Sequence, residues 1–187
     1  LDLSENEVYF ERLNLPVGYR PWIFYSWQSD LPDVREEIES VLLKVIEDIN
    51  KTRNPRQLLE LKNSAEIVGG AHNIVTKLKK EIDQSLIIVA DLTNVSQVFL
   101  QSGNTKEKWH PNSNVIFEMS YALTKKPDDQ VLLIKKNRPE RSENTTPFDL
   151  YQNLTHFYEN REDLEQRLKG ALMDSLEKIG YIAPLPE

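Results

Sequence analysis

A chain of 187 residues with 39% hydrophobic content can close one sizeable core, and that length argues for one domain rather than two. With 23 basic against 30 acidic residues the net charge is −7, and no dense basic block is left to grip a phosphate backbone, so nucleic-acid binding is excluded as the main role. The lack of cysteine removes disulfides, a thiolate nucleophile and cysteine-ligated metal, and it suits a reducing cytoplasm. His72, His110 and His156 lie far apart without helical metal spacing, so no metal is expected. No apolar run is long enough to span a membrane and no secretory leader is visible, which makes the cytoplasm the expected location. A chain opening on leucine is expected of a processed protein or an excised piece, with any regulatory domain lying outside it.

Residues 1–20 read as an N-terminal arm with a turn at Pro16 and Gly18, leading into a single domain over 21–187. Trp22-Ile23-Phe24-Tyr25 is a β-branched and aromatic run of the kind found in buried strands, broken at its carboxyl end by Ser26-Trp27-Gln28-Ser29-Asp30. Pro32 and Asp33 signal a helix whose apolar stripe is Val34, Ile38, Val41, Leu42, Val45, Ile46 and Ile49. Gln57–Leu61 is expected as a short strand, and Gly69-Gly70 as a plain turn in preference to a phosphate loop. A helix follows over Ala71–Gln84, with Ile74, Leu78 and Ile82 at helical spacing. Leu86-Ile87-Ile88-Val89-Ala90 is a continuous apolar strand, covered on both faces, that ends in Asp91-Leu92-Thr93. Residues 94–111 are expected as a long polar loop containing Gly103, Trp109 and His110, of the length that serves as a lid or binding loop.

Pro111-Asn112-Ser113-Asn114 offers helix-capping residues, and the run from Val115 to Leu123 is apolar on nearly every side, so this helix is expected to be buried. Glu118 stands inside it, between Phe117 and Met119. A glutamate in such surroundings must find a partner, take up a proton or be held ready for chemistry. Asp129–Ile134 gives another apolar strand, Lys135–Thr146 a charged mobile loop, Pro147–Leu150 a short edge segment, and Arg161–Ile179 a closing helix striped by Leu164, Leu168, Leu172, Leu176 and Ile179.

Strands alternating with helices imply an α/β fold with a mostly parallel sheet covered on both faces. Ligands in such folds sit beyond the carboxyl ends of the strands, where strand order reverses. That edge should hold Ser26 to Asp30, Asp91 to Thr93, Asn114 and Glu118. Each has a plain alternative. Trp27 either stacks on a ligand or packs into the core, Ser26 bonds a ligand or ends a strand, and Asp30 contacts a ligand or caps the next helix. Asp91 faces a ligand or braces its loop, Asn114 binds or caps, and Trp109 with His110 forms a lid or simply fills the loop.

Phe24-Tyr25-Ser26-Trp27-Gln28-Ser29-Asp30, Val89-Ala90-Asp91-Leu92-Thr93 and Asn112-Ser113-Asn114-Val115-Ile116-Phe117-Glu118-Met119-Ser120-Tyr121-Ala122, taken in order, resemble the bacterial TIR-like (Toll/interleukin-1 receptor-like) domains. The likeness is closest to the branch described as predicted nucleotide-binding, and it spans about Phe24 to Leu133. It implies a flavodoxin-like three-layer sandwich that cleaves the nicotinamide–ribose bond of NAD, often as an effector of bacterial antiphage defence. It also implies a homo-oligomer for activity and NAD as substrate, with no separate cofactor. The family's catalytic glutamate maps onto Glu118; Ser26, Trp27, Asp30, Asp91 and Asn114 are the substrate-binding candidates at the strand ends and helix start, and Trp27 or Trp109 is expected to offer a face for a base. Met119-Ser120 departs from the Leu-Gly-like pair common in that branch. A similar helix occurs in nucleoside 2-deoxyribosyltransferases, whose glutamate attacks the sugar, so that activity stays open beside NAD cleavage.

The chemistry suits one carboxylate. Loss of a cationic nicotinamide leaves positive charge on the ribose, which a pre-placed carboxylate in a dry site stabilises, and the leaving group needs no general acid. Glu118 acts either in that way or by forming a covalent ribosyl intermediate. Two rivals share the fold. A phosphorelay receiver would use Asp91 with Lys135 or Lys136, yet it wants acidic residues where Ser26-Trp27-Gln28 stands. A non-catalytic TIR-like nucleotide-binding or self-association module would not need Glu118 within its motif.

Overall fold

The computed structural model describes residues 17–53, 55, 57–63, 71–99, 107–139 and 155–183. Residues 1–16 of the expected arm, Gly69-Gly70, the stretch 140–146 of the expected mobile loop and the expected edge segment Pro147–Leu150 lie outside them. Along the chain run β1 (Trp22–Ser26), α1 (Pro32–Arg53), β2 (Glu60–Asn63), α2 (Ala71–Gln84), β3 (Ile87–Asp91), β4 (Ser96–Phe99) and β5 (Glu107–His110). They are followed by α3 (Ser113–Leu123), β6 (Val131–Lys136), β7 (Thr155–Tyr158) and α4 (Arg161–Lys178).

Five strands form one sheet in the order β2-β1-β3-β6-β7, and every neighbouring pair is parallel. That order is the flavodoxin-like doubly wound arrangement, whose direction of winding reverses between β1 and β3. Strand alternation divides the core into two layers. Ile23, Tyr25, Ile87, Val89, Leu132, Ile134 and Tyr158 pack against α1 and α4, whereas Phe24, Ile88, Ala90, Val131 and Leu133 pack against Leu78 and Ile82 of α2 and Val115, Met119 and Ala122 of α3. The fold is therefore an α/β three-layer sandwich, as the alternation of apolar runs indicates.

Local chemistry fixes the ends of α4. The Asn160 side chain accepts from the Asp163 N–H at 3.0 Å, and Asp163 accepts from the Glu159 N–H at 3.1 Å, so two N-terminal donors are satisfied reciprocally. At the other end Gly180 takes φ +70°, and the Tyr181 N–H donates to the Leu176 carbonyl at 2.8 Å, closing a Schellman turn.

The structure departs from the sequence reading in five places. Residues 94–111 do not run as a plain loop, because β4 and β5 pair antiparallel from Ser96↔His110 to Phe99↔Glu107, with the Val95 N–H donating to the His110 carbonyl at 2.9 Å. The second strand lies at Glu60–Asn63 instead of Gln57–Leu61, where it registers with Trp22 to Tyr25. Strand β6 continues through Lys135 and Lys136 instead of giving way there to the expected loop, because pairing with β7 extends it past its apolar run. Thr155–Tyr158 forms a fifth strand that the polar surroundings conceal. Finally, α3 is not apolar-buried all round: Phe117 is 45% exposed on its outer side.

Candidate active site

Ser26 ends β1 on the same face as Phe24, so it points toward α3. Helix α3 returns Glu118 to meet it, one turn before Ala122 and on the same buried stripe as Val115 and Met119. The Ser26 hydroxyl donates to Glu118 Oε2 at 2.5 Å, a short charge-assisted contact. Both side chains are buried, Ser26 completely and Glu118 to 5% exposure. Among the described residues no lysine or arginine forms an ion pair with Glu118. Burial pushes its pKa from the usual 4.5 up to about 7, with the Ser26 hydrogen bond opposing the rise. Ser120 points outward and is exposed, while Met119 fills the core.

The loop after β1 is tied to the start of α3. Asn112 caps the helix by accepting from the Asn114 N–H at 2.8 Å, and its own amide donates to Asp30 Oδ2 at 2.6 Å. Asp30 and Asn114 are both exposed at this junction. Trp27 points to the other side of the sheet, packed against the α1/α4 core, and the Arg35 guanidinium lies 3.5 Å from its ring centroid. One face of that ring is thus already taken by a cation. Trp109 is half-buried on β5, opposite Gln97.

Asp91 shares a face with Ile87 and Val89, away from Glu118, and is fully buried. It accepts from the Thr93 N–H at 2.9 Å and from Gln28 Nε2 at 3.3 Å, so it braces the turn that leaves β3. Burial raises its pKa, against the Thr93 and Gln28 hydrogen bonds and the Lys135 charge. The Tyr25 and Tyr158 hydroxyls are buried on this face, where burial with the nearby Asp91 charge raises both.

The structure thus brings Ser26 and Glu118 into contact and Asp30 and Asn114 to the mouth of the same helix, but it turns Trp27 and Asp91 to the opposite face. Sequence reasoning gives no site role to Asn112, places Gln28 only within the Ser26–Asp30 loop, and gives Lys135 a part only in the receiver alternative. The adjacent Lys135-Lys136 pair at a strand end was the available signal. A groove of about 880 Å³ between α1 and β2 and one of about 300 Å³ between α1 and α4 are lined by neither Ser26 nor any residue of α3. Among the described residues no three histidine or acidic side chains converge as a metal would require. Nor is any helix among them long and apolar enough to cross a membrane.

No family model matches the chain, and no curated protein matches it. Among solved structures it is similar to a metal-soaked Flv1 flavodiiron core from Synechocystis sp. PCC6803, at 11% identity and a TM-score of 0.40. The match covers 84% of this chain and 35% of that one, so the chain spans about a third of the protein it resembles.

Proposed function

We propose that the chain is a TIR-like glycosidase that cleaves the nicotinamide–ribose bond of NAD, with Glu118 as the reacting carboxylate. The observation that carries this reading is the Ser26–Glu118 pair: a buried carboxylate with no cationic partner among the described residues, at the sheet edge where the winding reverses. A structural glutamate would be expected to sit in an ion pair or reach water. Here the group has, among the described residues, a single hydroxyl donor, and its pKa lies near the working pH. As the pyridinium leaves, positive charge grows on the ribose, and the ionised Glu118 stabilises it. Ser26 holds the carboxylate in one orientation. At 5% exposure, Glu118 is reached by a ribose only when the groups covering it move aside.

The wild-type chain should release nicotinamide from NAD at high protein concentration, and Glu118→Ala should lose that activity by at least ~100-fold, the order expected when a principal transition-state charge is removed. Equal release by both proteins would remove Glu118 from the mechanism. Product analysis separates hydrolysis from cyclisation, base exchange and deoxyribosyl transfer. By family likeness the setting is a bacterial cytoplasmic defence or signalling effector.

A second reading is supported by Ile74 and Val75 on α2 and Phe117 on α3, which are 37%, 39% and 45% exposed. Apolar side chains displayed by neighbouring helices suit a self-association module, with or without catalysis.

A further inference from the structure

Lys135 ends the buried stretch of β6, is 5% exposed, and its Nζ has no hydrogen-bond partner among the described residues. A buried ammonium group without acceptors is costly, so its retention asks for an anion. The nearest counter-charge is Asp91, whose strand partner Ile134 immediately precedes Lys135. That carboxyl group already accepts from Thr93 and Gln28, and it stands on the α1/α4 side of the sheet. Lys135 stands on the other side. Val131 and Leu133 belong to the α2/α3 layer, and the next residue, Lys136, turns the opposite way to meet Glu37 of α1 at 2.6 Å.

Lys135 therefore shares a face and an edge with the Ser26–Glu118 pair. Ser26, Ala90 and Leu133 form one row across β1, β3 and β6, and Lys135 lies two residues further toward the carboxyl end. Strand spacing and rise place the Ser26 and Lys135 Cα atoms about 12 Å apart. A pyridine dinucleotide laid along this edge presents its ribose at one end of that span and its diphosphate toward the other.

We propose that Lys135 is the phosphate-binding cation of this edge, holding the diphosphate of the dinucleotide while Glu118 meets the nicotinamide ribose. The proposal rests on the glycosidase reading, and it makes Lys135 a specificity determinant that favours phosphorylated substrates over the bare nucleoside. Burial lowers its pKa and the Asp91 charge opposes that, yet Asp91 takes its hydrogen bonds from Thr93 and Gln28 on the other face of the sheet, which leaves the Nζ donors for an anion.

The test compares NAD with nicotinamide riboside, which has the same scissile bond and no phosphate, in the wild type and in Lys135→Met. The ratio of kcat/KM for NAD over the riboside should fall by about 10-fold to 100-fold, the worth of one charge-assisted contact. Glu118→Ala instead loses both substrates. In parallel, titration calorimetry with ADP-ribose should show affinity falling by a similar factor in Lys135→Met, with adenosine as the phosphate-free control. Lys135→Gln serves the same comparison if the methionine variant does not fold. A ratio within about twofold of wild type together with unaltered ADP-ribose affinity would overturn the proposal, leaving Lys135 as a counter-charge for Asp91 that moves only the melting temperature. If the wild type cleaves neither substrate, the glycosidase reading fails and ADP-ribose decides alone: Lys135-dependent binding upholds the anchor, and Lys135-independent or undetectable binding ends it.

Discussion

Two opposed effects set the charge on Glu118: burial disfavours the carboxylate, and the Ser26 hydroxyl favours it. The balance leaves a pKa of about 7 against the usual 4.5, so the group stabilises the fold fully below about pH 4.5, and that contribution is lost as pH rises through about 7. Glu118→Gln removes the loss. It should raise unfolding stability near pH 8 by roughly 3 kcal/mol and flatten the pH dependence between those limits, as urea titrations at several pH values would reveal. A gain absent at pH 8 would mean that the carboxylate is solvated. If the chain cleaves NAD as proposed, the same balance sets its pH dependence, because the rate should climb with the ionised fraction. Ser26→Ala removes the favouring bond, so the ascending limb of kcat/KM against pH should move above its wild-type position near 7. An unmoved limb would assign that ionisation to another group.

At the level of elements, α3 carries the site and Asn112 anchors it. This one side chain caps the helix and holds Asp30, so the loop after β1 and the start of α3 move together. Asn112→Ala should cost about 1 kcal/mol of stability in denaturant titrations. It should also lower turnover more than that loss explains, because Glu118 sits on the helix being loosened. The capping signal and the acidic residue were legible in the chain, since Asn112-Ser113-Asn114 precedes the apolar run directly. The β4–β5 pair was not. Its strands are only four residues each, and the seven residues 100–106 exceed a two-residue hairpin loop, so the Ser102-Gly103-Asn104 turn signal does not set a register and only pairing across the chain reveals them. The same holds for Lys135, whose charge reads as surface until β6 is paired on both sides.

For the molecule as a whole, the winding reversal between β1 and β3 creates the edge, and the outer faces of α2 and α3 carry Ile74, Val75 and Phe117 into solvent. If self-association drives activity, Phe117→Ser should leave the monomer's melting temperature within a few degrees, since the position is 45% exposed. Light scattering should then show weaker assembly, and specific activity should cease to rise with protein concentration. Unaltered assembly would place the contact elsewhere.

The sequence by itself determined the layered α/β architecture, because continuous apolar runs such as Ile87–Ala90 can be satisfied only by covering on both faces, and stripes such as Val34 to Ile49 supply that cover. It also determined that one carboxylate would lie within α3. Only the tertiary structure decided which face each strand-end residue takes. Alternation puts Ser26 with Glu118 and turns Trp27 and Asp91 away, and a period of two leaves that assignment open until neighbouring strands fix which side is up.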